Sequence, residues 1–178
     1  MIFIPLGPDA VFYRVLSPAW AHRPTSGAGA AERGGRFNRP DVHALYLSVT
    51  TETALQEYQQ DAGLLPPGTI ASYLLNVQRV VDFRAGYVAG AWDRLWQDYA
   101  CNWRDLALRH KVEPPSWVLA DMAMEAGAQA IFYPSVRHLG GYNIAVFLAA
   151  VVEPDELRVH DPEGHLAGEK NRQGKPAA

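Results

Sequence analysis

The strongest constraint on the fold is rhythm. Short β-type runs recur along nearly the whole chain: "VFYRVLS" (11–17), "ALYLSV" (44–49), "IASYLLNV" with "RVVDF" (70–83), "AIFYPS" (130–135), "NIAVFLA" (143–149) and "LRVH" (157–160). Each is rich in β-branched or aromatic residues and bounded by turn formers. Helical segments separate some of these runs and not others, so the regular strand–helix alternation of a doubly wound parallel sheet is missing. The pattern predicts an α+β fold, a mostly antiparallel β core with flanking helices.

Three stretches carry helical signals. "TTETALQEYQQDAG" (50–63) has threonines where an N-cap belongs, Glu52 in its first turn and Gly63 at its end. "AWDRLWQDYACNWRDLALRHK" (91–111) repeats apolar residues at helical spacing, through Trp92, Leu95, Trp96, Tyr99, Trp103 and Leu106. "PSWVLADMAMEAG" (115–127) opens on an early proline and ends at Gly127. The last residues, "DPEGHLAGEKNRQGKPAA" (161–178), are polar and turn-rich and read as a mobile tail behind a single domain over 1–160. A chain of 178 residues is large enough to bury one core.

Charge and composition argue against several function classes. A formal net charge of −3 offers no electrostatic case for direct nucleic-acid binding. The single cysteine, Cys101, excludes an internal disulfide and suits a reducing compartment; within an aromatic-rich stretch it reads as an inert buried thiol. "MIFIPLGPDA" lacks the basic start of a signal peptide, and the apolar run "NIAVFLAAVV" falls short of the roughly 20 residues that span a bilayer. A cytoplasmic protein with no membrane partner is expected. Histidines at 22, 43, 110, 138, 160 and 165 form no H-x-x-x-H pair, so no metal site is expected. No G-x-S-x-G elbow occurs either.

One stretch asks for a ligand. "GAGAAERGGRFN" (27–38) sets glycines around Arg33 and Arg36, a composition that suits close approach of a phosphate to backbone. It is not a P-loop, because no lysine occurs before Lys111. It is not the dinucleotide fingerprint, because Glu32 stands where G-x-G-x-x-G needs its third glycine and the preceding residues read as loop.

Four residues then stand out: Arg14 inside the run "FYRVL", Arg36 after two glycines, Tyr46 in "ALYLS" and Glu57 on the helix that follows. Singly, each fits an ordinary structural use, on a solvated strand face, on a helix surface or in a core. Together the order "FYRV…GGRFN…LYLS…ALQEY", followed by "YPSVR" and "GYN", resembles the RES-domain family from about Phe12 to Val152. That family is named for an arginine, a glutamate and a serine. Its members are similar to ADP-ribosyltransferase-fold enzymes, typically serve as bacterial toxins, consume NAD⁺, and pair with an Xre-type helix-turn-helix antitoxin.

The resemblance implies a fold and a set of roles. The fold is ADP-ribosyltransferase-like. By motif match the family's arginines fall on Arg14 and Arg36, its tyrosine on Tyr46, its glutamate on Glu57 and its serine on Ser135, with Asn143 a weaker match. Glu57, Arg36 and Tyr46 are then the catalytic candidates, and Arg14, Arg36, Tyr46, Ser135 and Asn143 the candidates for holding NAD⁺. Phe37 stands where the family often has tryptophan, which keeps an aromatic.

These residue types suit that chemistry. A guanidinium gives a diphosphate two parallel charge-assisted hydrogen bonds. The glycines at 34 and 35 allow positive φ and close approach, which aims Arg36 inward from a turn. Nicotinamide leaves as a neutral molecule, so the developing charge is an oxocarbenium on ribose, as in glycoside hydrolysis, and one fixed carboxylate stabilises it. Glu57 stands near the edge of a helix face set by Ala54, Leu55 and Tyr58, a position that suits a cleft wall and equally an exposed glutamate. Tyr46 suits stacking on nicotinamide or ribose. Ser135 suits a hydrogen bond to phosphate or ribose, and equally an ordinary turn.

The acceptor of ADP-ribose stays open: water or phosphate, which means NAD⁺ depletion, or a protein target, which means mono-ADP-ribosylation. Leu55, two residues before Glu57, speaks against the arginine-modifying subclass, which often carries an acidic residue there. A non-enzymatic binding domain that keeps the fold is the other class; the full set Arg14, Arg36, Tyr46 and Glu57 argues against decay. The partner implied is an antitoxin that plugs the NAD⁺ cleft.

Overall fold

The computed structural model describes residues 1–166. The strands among them are β1 (Phe3–Leu6), β2 (Val11–Leu16), β3 (Ala44–Ser48), β4 (Thr69–Asp82), β5 (Ala130–Pro134), β6 (Tyr142–Phe147) and β7 (Glu156–Val159). The α-helices are α1 (Ala28–Arg33), α2 (Thr51–Gln59) and α3 (Pro115–Glu125). This is the mixed α+β class, with a mostly antiparallel sheet and few helices. Every strand pairing among the described residues is antiparallel except β4 with β5. The long β4 is the hub, and from it the ladder passes through β2, β3, β6 and β5 back to β4.

The six β-type runs correspond to β2 through β7, the pair in 70–83 forming one strand. β1 carried no strand expectation because Pro5 and Pro8 punctuate it. The ladder from β1 to β4 shifts register between Ile4 and Leu6, around Pro5, and among the described residues β1 has β4 as its one strand partner. An edge strand tolerates a proline there, because its missing N–H breaks no central rung.

Two cores explain why the middle runs are apolar throughout. Leu45, Leu47, Phe132, Ile144 and Val146 pack into one core with Phe12 and Leu75. Their alternate neighbours Tyr46, Ile131, Tyr133, Ala145 and Phe147 pack into the other with Phe37, Phe83 and Trp96. Successive strand residues point to opposite faces, so a strand covered on both sides is apolar on both, save where the buried Ser48 and Asn143 hydrogen-bond to each other. Helix α3 covers the second face with Leu119, Ala120 and Ala123.

The continuous helix expected over 91–111 is not what forms. The chain makes a tight 3₁₀ turn at Arg94–Asp98, breaks, and resumes as a π-type turn at Asp105–His110. Three of its aromatic residues gather around one ring: Trp92, Trp96 and Tyr99 lie 4.9, 4.7 and 5.0 Å from Phe83, centroid to centroid. Wrapping three rings around a single phenylalanine needs more curl than a straight helix supplies. Asp93 caps the first turn, its Oδ1 accepting from the N–H of Leu95 at 2.8 Å. The helical spacing was a packing signal rather than a helix.

At the other end Asp161 accepts from the N–H groups of His165 and Leu166, at 2.9 and 2.8 Å, and Leu166 packs on the first core. The rest of the tail expected over 161–178 lies outside the described residues. Among the described residues no helix is long and apolar enough to cross a membrane.

Candidate active site

The sheet has a seam. β2 and β3 share one rung, Tyr13 opposite Ser48, whereas six residues of β2 pair with β4 and five of β3 pair with β6. At the seam lies a cleft of about 450 Å³. β2 contributes Tyr13 and Arg14 to its wall, and β3 contributes Tyr46 and Ser48. Helix α2 adds Ala54, Glu57 and Tyr58, one helix face by their i, i+3, i+4 spacing. α2 starts where the threonines predict, with Thr50 Oγ1 accepting from the N–H of Thr53 at 3.2 Å, and stops at Gln59 rather than continuing to Gly63.

Glu57 is held from two strands. Ser135, just past β5, donates its hydroxyl to Glu57 Oε1 at 2.7 Å, and Asn143 of β6 donates its amide to the same oxygen at 2.5 Å. Asn143 is itself fixed, because Ser48 donates to its Oδ1 at 2.7 Å. Ser135 Oγ also accepts from the N–H groups of Arg137 and His138, at 3.1 and 3.0 Å, so one hydroxyl organises a turn and orients a carboxylate. Both hydrogen bonds fall on Oε1, which leaves Oε2 without a partner among the described residues.

Arg36 is aimed by a turn that Tyr46 and Trp117 pin. Gly34 takes φ +77°, as its residue type allows. Gly35 has ordinary φ, and its glycine is required for space instead: a Cβ there would meet Tyr46 Oη and Asn38 Oδ1. The carbonyl of Gly35 accepts from Trp117 Nε1 at 2.7 Å. Tyr46 Oη accepts from the N–H of Phe37 at 2.9 Å and donates to Asn38 Oδ1 at 2.7 Å. Asn38, fully buried, donates through Nδ2 to the carbonyls of Ala30, Arg39 and Val42, each at 2.9 Å. Phe37 fills the core below, edge-on to Tyr133 at 4.8 Å.

The stretch before that turn is not all loop. Ala28–Arg33 forms α1, a short helix whose Gly29 and Ala30 reach the cleft. Helical periodicity had no length to register in six residues, and the glycines at 27, 29, 34 and 35 read as turn.

The cleft is cationic. Arg14, Arg36, Arg104 and Arg137 all line it. Arg14 shares its strand face with the buried Phe12 and Leu16, and burial lowers its pKa, with no carboxylate opposing. Arg36 donates to the carbonyls of Tyr99 and Cys101, at 2.8 and 3.0 Å, groups that a continuous helix would have aimed along its own axis. Arg137 is paired with Asp61, at 2.9 Å. Arg104 has its pKa lowered by burial first and then by the nearby charges of Arg137 and Arg36, against the opposing pull of Asp61 and Glu57. Burial pushes the hydroxyl pKa values of Tyr46 and Tyr133 well up, so both stay protonated.

All six residues singled out in the sequence line or hold this one site. Arg14, Arg36, Tyr46, Glu57 and Asn143 border the cleft, and Ser135 joins them through Glu57. The hydroxyl of Tyr46 serves the Arg36 turn, and Ser135 and Asn143 serve Glu57. Arg104 and Trp103 went unrecognised because a helix over 91–111 gave them no reason to face a cleft. The aromatic–arginine pair "WR" was the available signal.

A mixed α+β domain with a single clamped glutamate in an arginine-lined cleft between two strands is the class that fold and site define. Within that class, the RES domain model matches residues 11–167, and the chain belongs to the RES domain family. Its fold is similar to that of a chain in the crystal structure of the M. tuberculosis MbcT–MbcA toxin–antitoxin complex, with a TM-score of 0.59 and 18% identity over 89% of this chain and 84% of that one. No curated protein matches.

Proposed function

We propose that this chain is an NAD⁺-consuming toxin of a bacterial toxin–antitoxin pair. Membership of the RES domain family supports the reading, as does the likeness to a chain from a toxin–antitoxin complex. The observation that carries it is Glu57, clamped through one carboxylate oxygen by Ser135 and Asn143 on the wall of an arginine-lined cleft.

The chemistry follows from charge. NAD⁺ brings a diphosphate for Arg14 and its neighbours, a ribose and a cationic pyridinium. The bond between ribose and nicotinamide nitrogen breaks, and its electron pair leaves with nicotinamide, which becomes neutral. The ribose carbon takes up oxocarbenium character, which the carboxylate of Glu57 stabilises. A carboxylate already oriented by two donors needs no reorganisation when that charge appears. An acceptor, water, phosphate or a protein side chain, then bonds to the same carbon through an oxygen or nitrogen lone pair, and the proton that the acceptor carried there passes to solvent.

Purified protein incubated with NAD⁺ and a bacterial lysate tests this reading by chromatography of released nicotinamide. Label from the adenylate half then reports the acceptor: free ADP-ribose or its phosphate signals depletion, and a labelled protein band signals transfer. No nicotinamide release under any of these conditions refutes the enzymatic reading. The partner proposed is an Xre-type helix-turn-helix antitoxin that covers the cleft; a helix-turn-helix gene found beside this one, co-expression with its product and loss of nicotinamide release in the complex test it.

A further inference from the structure

Of the arginines lining the cleft, Arg104 and Arg137 carry no role from the sequence pattern, and among the described residues Arg104 is the one of these two without an acidic partner. It sits just after the break in the 91–111 segment, where Arg36 grips the carbonyls of Tyr99 and Cys101. That grip ties the segment to the glycine turn and presents Asn102, Trp103 and Arg104 to the cleft. The Arg104 guanidinium lies over the ring of Trp103, 4.8 Å from its centroid, and Trp103 is 7% exposed. A planar cation held over a buried indole is pre-oriented.

Among the described residues it lacks a counter-ion, as Arg14 and Arg36 of the same cleft do, whereas other arginines carry one. Arg39 pairs with Asp121 and Glu113, Arg84 with Asp82, and Arg137 with Asp61. Arg104 has neither an ion pair nor a hydrogen bond to protein among the described residues, while Arg36 and Arg137 crowd it with like charge. Asp61 is taken by Arg137, and Glu57 Oε1 by Ser135 and Asn143. Arg36, for its part, commits NH1 to two carbonyls. Three guanidinium groups near one another on a cleft wall are stable when an anion sits among them.

We infer that Arg104 is a binding residue for the diphosphate of the dinucleotide, and that Arg36 acts in part by positioning it through the carbonyls of Tyr99 and Cys101. This rests on the reading of the cleft as an NAD⁺ site. It moves a share of phosphate recognition from the glycine turn to the Trp103–Arg104 pair.

Calorimetric titration with ADP-ribose and, separately, with adenosine tests the inference. Arg104→Gln weakens ADP-ribose binding roughly tenfold to a hundredfold, the worth of a charge-assisted hydrogen bond or pair of them. Adenosine, which lacks phosphate, binds Arg104→Gln and wild type alike. Arg104→Lys recovers part of the loss, and in turnover the damage falls on KM more than on kcat. Equal ADP-ribose affinity in a folded Arg104→Gln protein overturns the inference, as does an equal loss for adenosine. If wild-type protein releases nicotinamide while Arg104→Gln behaves like it, the inference alone falls. If wild type neither binds ADP-ribose nor releases nicotinamide, the NAD⁺ reading falls and takes the inference with it.

Discussion

Ser135 and Glu57, 78 residues apart in the chain, meet through a 2.7 Å hydrogen bond that joins the end of β5 to helix α2 at the cleft wall. The serine is spent on the glutamate and on its own turn, so its contribution to chemistry passes through Glu57. Ser135→Ala is expected to lower turnover about tenfold, the worth of one hydrogen bond to a charged group. Measured in a Glu57→Gln background, the same substitution should have almost no further effect, because contacting residues couple in a double-mutant cycle.

Glu57→Gln removes the negative charge and keeps the shape. Nicotinamide release is expected to fall by at least about a hundredfold to a thousandfold, in line with the loss of a single transition-state electrostatic partner. The melting temperature should stay close to that of wild type, since Glu57 is only half-buried. A growth assay on cells expressing the variant checks the same point through loss of toxicity.

Tyr46→Phe tests a structural use of the tyrosine. The substitution strips the acceptor from the Phe37 N–H and the donor from Asn38 Oδ1. Leaving those groups unpaired near a buried asparagine is expected to cost about 2 kcal/mol of stability. Denaturant unfolding measures that loss, and the activity lost with it should be regained in part when the protein is assayed at low temperature.

Two glycines eight residues or fewer from Arg36 should respond in opposite directions. Gly35→Ala drives a methyl group into Tyr46 and Asn38, and is expected to destabilise the fold and reduce activity sharply. Gly29→Ala meets open space within α1, and there alanine should stabilise by about 0.5–1 kcal/mol. Thermal melts of the pair distinguish a steric demand from a general intolerance of the loop.

Much of the fold could be read from the chain because strands buried on both faces announce themselves as apolar runs; β5 and the Ile144–Phe147 part of β6 are examples. β1 escaped notice because Pro5 masks an edge strand, and α1 because six alanine-rich residues carry no periodicity. The 91–111 segment misled for a different reason: rings gathered around Phe83 reproduce helical spacing without a helix. In the site, residue types matched to a family pattern located Arg14, Arg36, Tyr46, Glu57, Ser135 and Asn143. Their division of labour was not legible, because who hydrogen-bonds whom depends on contacts between residues as distant as Asn143 and Glu57.

The single rung between β2 and β3 has an evolutionary corollary. Arg14 belongs to a wall braced by one core, and Tyr46 with the Arg36 turn to a wall braced by the other. Backbone hydrogen bonding barely ties the two strands, and the shared core of Phe12, Leu45 and Leu47 is what holds them together. Substitutions at Arg14 or Tyr46 leave those three residues in place, so grip on one end of a ligand and handling of its other end are free to diverge separately among descendants of this scaffold.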